Sequence, residues 1–197
     1  MINILLPVIA YLFGSISSAV IVSRLMRLPD PRTSGSNNPG ATNVLRLGSK
    51  TGAALTLVGD VAKGIVPVLI ARYLAVGDWT LAATGLAAFL GHLYPVFFGF
   101  KGGKGVATAL GVLLAISPLV TAGLVLIWLA VAAIFHYSSL AALSAAAGAP
   151  LMIAWLDGRM SLVVMAIVIA VLLFWRHRSN IARLINAEES RIGSKSK

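Results

Sequence analysis

Long stretches of this chain carry no charge. Residues 1–23, 79–100 and 105–156 contain no Asp, Glu, Lys or Arg. Charged residues make up only 11% of the chain and hydrophobic ones 58%, whereas a soluble domain has about 25% charged residues. Water is therefore excluded as the main solvent, and lipid admits only helices or closed barrels. The apolar runs are too long and too continuous for the alternating pattern of a barrel strand. The expected fold is an all-α, polytopic integral membrane protein. Breaks at Gly77-Asp78, Lys101–Lys104, Ser117-Pro118, His136–Ser139 and Asp157–Arg159 predict segments near 3–23, 52–76, 79–98, 105–116, 118–136, 139–156 and 160–177. All but one reach the roughly 17–25 residues that a spanning helix needs. The exception, 105–116, reads as a half-helix buried within the protein, so the count is about seven transmembrane helices, or five. The first run lacks a basic leading segment and a small-residue cleavage site, and is expected to be a retained span. No soluble stretch is large enough for its own core. The organisation is one transmembrane domain over 1–197 with a basic tail from about 178.

Orientation follows from the cations. With the N-terminus outside, Arg24, Arg27, Arg32, Arg46, Lys50, Lys101, Lys104 and the C-terminal basic residues all fall on the cytoplasmic side, as cytoplasmic loops require. The formal charge of +10 is thus explained by topology and does not call for nucleic acid. Cysteine is absent, which removes thiolate chemistry, disulfides and Cys-based metal sites. Three scattered histidines and six carboxylates offer no metal-ligand spacing, and no cofactor is implied. Asp60 and Lys63 lie three residues apart on one face of the second span. The simpler reading is an ion pair near a helix end; an intramembrane functional pair is the other. His92 in Gly91-His92-Leu93-Tyr94-Pro95 reads as an interfacial histidine beside an aromatic neighbour.

Three polar cassettes interrupt this apolar background. The first, Thr33-Ser34-Gly35-Ser36-Asn37-Asn38-Pro39-Gly40-Ala41-Thr42-Asn43-Val44-Leu45-Arg46, is a hydroxyl- and amide-rich turn with one guanidinium. Asn38 is placed to cap a short helix with Pro39 at its first position and Gly48 beyond its end. Such a pocket suits phosphate oxygens, although an ordinary polar loop has the same residue types. The second, Phe98-Gly99-Phe100-Lys101-Gly102-Gly103-Lys104-Gly105-Val106-Ala107-Thr108, sets glycines and a lysine just before a helix, which makes an anion seat. It is not an ATP-binding P-loop, because Phe98 and Gly105 stand where that pattern needs Gly and Ser/Thr. The third, Arg176-His177-Arg178-Ser179-Asn180-Ile181-Ala182-Arg183-Leu184 followed by Glu188-Glu189, follows the last span. On a continuing helix Arg176, Asn180 and Arg183 would share a face. Its arginines fit a positive-inside anchor; His177 and Asn180 are not demanded by orientation.

These cassettes, in this order and between these spans, resemble the bacterial acyl-phosphate-dependent glycerol-3-phosphate acyltransferase family (PlsY) from Leu28-Pro29-Asp30-Pro31-Arg32 to Glu189. One departure is visible: Gly35-Ser36-Asn37-Asn38 stands where the family pattern reads Gly-Ser-Gly-Asn. Asparagine tolerates left-handed backbone, so the turn is expected to survive. The resemblance implies transfer of a fatty acyl group from acyl phosphate to the 1-hydroxyl of glycerol 3-phosphate, giving 1-acylglycerol 3-phosphate (lysophosphatidic acid) and inorganic phosphate in phospholipid synthesis. It implies a multi-pass protein of the bacterial cytoplasmic (inner) membrane, with its C-terminus and active site facing the cytoplasm. Substrates and membrane lipid are the implied partners, with a soluble acyl-phosphate-producing enzyme as a further candidate and no nucleic acid. The catalytic candidates are Ser36, Arg46, Lys104, His177 and Asn180. Gly35, Asn38, Asn43, Lys101, Gly102, Gly103, Gly105 and Glu189 are candidates for binding substrate phosphate, with no metal ligands. Glu189 is read as holding a cationic side chain, and the Gly102-Gly103 amides as donors to phosphate.

The main rival from the residues alone is a membrane transporter of an organic phosphate. Transporters place the site near the midplane and often carry internal repeats. No repeat is present here, and the phosphate-type residues gather towards one face.

Overall fold

A computed structural model describes residues 1–193. Among the described residues every regular element is helical, and the helices group into two compact units, Met1–Ile116 and the chain from Ser117 onward.

The first unit holds α1 (Ile2–Gly14), α2 (Ser18–Leu25), α3 (Ala41–Arg46), α4 (Lys50–Tyr73), α5 (Asp78–Leu93), a 3-10 turn at Val96–Phe98, and α6 (Val106–Ile116). The first apolar run is therefore a broken span. It parts at Ser15–Ser17, where the Ser15 hydroxyl donates to the Tyr11 carbonyl at 2.8 Å and Ser17 turns extended. Small residues let backbones touch, the usual means of packing helices in lipid. A Cβ at Gly14 would meet the Ala88 carbonyl, and one at Gly91 the Tyr11 carbonyl, so α1 and α5 are pressed together. Gly64 against Thr108 and Val112, and Gly111 against Val61, do the same for α4 and α6.

Helix α6 spans 11 residues, about 16 Å at 1.5 Å per residue, and buries Thr108, Ala109, Gly111, Val112, Leu113, Ala115 and Ile116. The short helix expected from the sequence is present, with one flank buried and Leu114 39% exposed. Its last turn exposes carbonyls that need partners. Arg72, near the end of α4, donates to the Ala115 carbonyl and so supplies one.

The second unit holds α7 (Pro118–Phe135), α8 (Ser138–Leu156), α9 (Met160–Arg176) and α10 (Arg178–Ile185). Pro118 opens α7 after Ser117, whose backbone carbonyl accepts from the Thr121 hydroxyl at 3.0 Å. Ala141, Ala142, Ala146 and Ala149 form the buried stripe of α8, and Gly123 of α7 leaves room for Met152. Large apolar side chains cover the outside: Trp155 is 83% exposed and Leu151 74%, as expected where hydrocarbon is the solvent.

Among the described residues five segments are long and apolar enough to cross a membrane: Ile2–Leu25, Lys50–Tyr73, Asp78–Phe98, Pro118–Phe135 and Ser138–Leu156. The pair α9 and α10 passes the same test only when taken together and is bent by 60°, as a broken span or a re-entrant loop would be. The structure alters two local expectations. Helix α3 starts at Ala41 with Gly40 as its N-cap and no side-chain cap, so Asn38 does not cap it. The helix after the last apolar run does not continue straight; it bends at His177, and Arg176 sits on α9 while Asn180 and Arg183 sit on α10.

Candidate functional site

Asn43 shapes the first cassette. Only 1% exposed, its side-chain oxygen accepts from the Ser36 amide at 2.9 Å, and its side-chain nitrogen donates to the Pro31 and Ser34 carbonyls, each at 2.9 Å. One buried amide thus folds the 31–36 strand of loop over α3. Gly35 (φ +66°) and Asn37 (φ +54°) both take left-handed backbone, which presents Ser36 at an exposed apex. A Cβ at Gly35 would strike the Asn43 side chain, so glycine is required there twice over. Arg46 closes α3 with an exposed side chain, and Asn38 is half-buried. Arg32 is held by Asp30 through a bidentate pair, Nε at 3.0 Å and Nη2 at 2.6 Å. Those Arg32 hydrogen bonds keep the Asp30 carboxyl below its ordinary value.

The second cassette is set into the first unit. Gly102, Gly103 and Gly105 are buried, Lys104 is half-buried and Lys101 is exposed. Gly105 has φ +90°, and a Cβ there would enter Phe89 and Leu93. The Gly103 amide donates to the His92 carbonyl at 3.2 Å. That amide holds the turn in place, which corrects the expectation that it donates to phosphate. A Cβ on Gly103 would collide with both His92 Nε2 and the Pro39 carbonyl. The first and second cassettes therefore meet at Gly103. Their cations, Arg46 and Lys104, belong to two segments that this contact joins.

His92 is not an interfacial residue. It is 6% exposed, with Nδ1 3.6 Å from Asp60 Oδ1. Asp60 in turn pairs with Lys63 at 2.9 Å. This pair lies well inside α4 and has a third member, unlike the simple helix-end pair read from spacing. The sequence offered no sign of that third member, because it comes from the next helix.

In the second unit, the third cassette folds around Glu189. Its Oε1 accepts from Ser139 at 2.8 Å and from Asn180 at 2.6 Å, and its Oε2 accepts from Arg183 at 2.6 Å. Burial pushes this carboxyl up, but the hydrogen bonds from Asn180, Ser139 and Arg183 outweigh it, and the group sits below its ordinary value. Glu189 holds a cation, as expected, and also ties the C-terminal segment to the start of α8. The Ile192 amide bonds the His136 carbonyl at 2.8 Å beside it. Ser139 was read only as a break between spans; its role depends on a residue fifty positions later and leaves no local signature. His177, 3% exposed, places Nδ1 2.8 Å from the Leu173 carbonyl. A carbonyl can only accept, so Nδ1 carries a proton, and in the neutral form of the ring Nε2 then holds the lone pair. Among the described residues no three His, Asp or Glu side chains gather as a metal site.

A profile of a family described as glycerol-3-phosphate acyltransferase matches residues 4–187. A glycerol-3-phosphate acyltransferase of Methylococcus capsulatus is 59% identical over 187 residues, covering 94% of each chain. One from Halorhodospira halophila is 56% identical and covers 98% of each. Among solved structures, PlsY (YgiH), an integral membrane glycerol 3-phosphate acyltransferase in its glycerol 3-phosphate form, superposes with a TM-score of 0.92. It is 45% identical, with coverage of 97% of this chain and 96% of that one. The lysophosphatidic acid form gives a TM-score of 0.90 at 44% identity, covering 97% of this chain and 95% of that one.

Proposed function

This chain belongs to the glycerol-3-phosphate acyltransferase family, and from that premise we propose that it joins acyl phosphate to glycerol 3-phosphate in a single displacement. The glycerol 1-hydroxyl oxygen attacks the acyl carbonyl, the carbon–oxygen bond to phosphate breaks, and the products are 1-acylglycerol 3-phosphate and inorganic phosphate. The donor is already activated, so the protein's work is alignment and charge stabilisation. Arg46 and Lys104 neutralise phosphate charge, and Ser36 donates from its exposed apex. Asn180, held by Glu189, and His177 act on the departing phosphate. The hydroxyl proton passes to a phosphate oxygen of the donor, with His177 Nε2 as the alternative acceptor.

The observation that carries this reading is the contact of the first cassette with the second, where the Pro39 carbonyl lies against Gly103; Arg46 and Lys104 are the cations of those two segments. Two phosphate-bearing reactants need such paired cationic seats; a lipid-binding subunit does not. The whole chain is proposed to work as one domain with seven crossings, the N-terminus outside, in the cytoplasmic membrane of a bacterium, drawing its soluble substrate from the cytoplasm. Purified protein supplied with a long-chain acyl phosphate and labelled glycerol 3-phosphate should release inorganic phosphate in step with labelled lysophosphatidate. Denaturing the protein during turnover should recover no acylated chain. A trapped acyl-protein overturns the single displacement, and uptake into vesicles without chemistry overturns the enzyme reading.

A further inference from the structure

The geometry points to Asp60 and His92 as positioning residues for the Gly102-Gly103-Lys104 turn, an inference that rests on the acyl-transfer reading above. Ionisable side chains inside an apolar helix are costly and are retained where they serve something. Asp60 is 3% exposed and Lys63 4%, and they sit about 15 Å and about 20 Å along α4 from Lys50 at 1.5 Å per residue. Lys63 has a structural use of its own. Besides its 2.9 Å pair with Asp60, it donates at 3.0 Å to the Ile16 carbonyl, within the break between α1 and α2.

Asp60 also faces the Nδ1 edge of His92 at 3.6 Å. The opposite edge of the same ring lies against Gly103, where no Cβ can fit. The His92 carbonyl accepts the Gly103 amide at 3.2 Å, and the Pro39 carbonyl crowds the same face of Gly103 as the His92 ring. One residue therefore supports the turn with its ring and its backbone together, and Asp60 fixes how that ring is turned. Buried polar groups line up from the Ile16 carbonyl through Lys63 and Asp60 to His92, where Asp60 approaches the ring at 3.6 Å, beyond hydrogen-bond length, and on to the glycine where the two cassettes meet. None of these three side chains needs to touch substrate. Their action is on where Lys104 and the turn are held.

The test uses the full-length protein in detergent, with both KM values, kcat and the thermal midpoint measured for each variant. Lys104→Arg first identifies the substrate whose phosphate rests on the turn, as the one whose KM rises. His92→Leu keeps bulk but loses the polar edges, and it should raise that same KM about tenfold, as expected for a displaced positioning element. Its kcat should stay within threefold and its thermal midpoint near wild type. His92→Gln retains an amide that can address Asp60, and should recover most of the loss. Asp60→Asn alone would leave Lys63 uncompensated, so it is made together with Lys63→Met, and this pair should repeat the KM shift. An unchanged KM in a folded His92→Leu protein overturns the inference. So does a fall in kcat that tracks the thermal midpoint with KM unmoved, which is a purely structural result. If wild-type protein makes no lysophosphatidate, the acyl-transfer reading fails instead. The inference is then read from the Kd for glycerol 3-phosphate by titration, where a tenfold weakening in His92→Leu supports it and no change overturns it.

Discussion

Asn37 holds φ at +54° next to Gly35 at +66°, and the exposed Ser36 between them depends on that pair of left-handed turns. Replacing Asn37 with Gly should leave acyl transfer intact. Asn37→Val should cost about 1–2 kcal/mol in unfolding free energy, because a β-branched residue resists that backbone; chemical denaturation in detergent checks both. Lys104→Ala removes a cation from the turn proposed to bind phosphate and should lower kcat/KM about 10²-fold with little change in thermal midpoint. Glu189 sits below its ordinary value of 4.5, so its contribution is complete above that pH and is lost as pH falls through its lowered value. The protection of the residues 186–193 amides, taken relative to intrinsic exchange at each pH, should therefore fall on acidification in the wild type, and Glu189→Gln should remove most of that dependence. The left-handed turn was legible in the sequence because asparagine and glycine advertise it locally. His92 was not, since its meaning lies in Asp60 on a neighbouring helix and Gly103 across a turn. Nor was Asn43 legible as the side chain that folds the first loop, because three backbone groups supply its partners.

Helix α6 shows what lets a short apolar helix persist. Burial of one flank against α4 and the Arg72 bond to Ala115 replace the length it lacks. Gly111→Leu would drive a side chain into the Val61 carbonyl, and should lower the thermal midpoint sharply or abolish folded yield, as overpacking does. Gly77→Ala is the matched control. A Cβ there meets nothing, so the midpoint should hold or rise slightly. The sequence placed α4, α5, α7, α8 and α9 well, because hydrophobic length is a strong signal, but it showed the first run as one segment where the structure breaks it at Ser15–Ser17. It misplaced the start of α3, where Asn38-Pro39 has the pattern of a cap. The Pro39 carbonyl instead stands against Gly103, and Gly40 is extended (φ −160°). The bend at His177 also escaped, since no proline or glycine marks it; the ring bonds back to Leu173 and α10 turns away by 60°.

For the molecule as a whole, orientation is open to direct measurement, since the chain has no cysteine of its own. Seven crossings with the N-terminus outside predict that Gly77→Cys and Ser117→Cys react with an impermeant maleimide added to intact cells. His136→Cys should react only after the membrane is opened. His136 is the better inner probe than Ser139, which is buried and bonded to Glu189. The positive-inside pattern carries this expectation, and labelling from the wrong side at any one position overturns it. One further consequence concerns drug resistance. A Cβ at Gly102 would strike the main-chain oxygens of His92 and Leu93, which cannot rotate aside as a side chain can. An inhibitor whose phosphonate leans on this turn would therefore press on a surface that point mutation cannot reshape without damaging the enzyme, and escape variants should arise elsewhere in the chain.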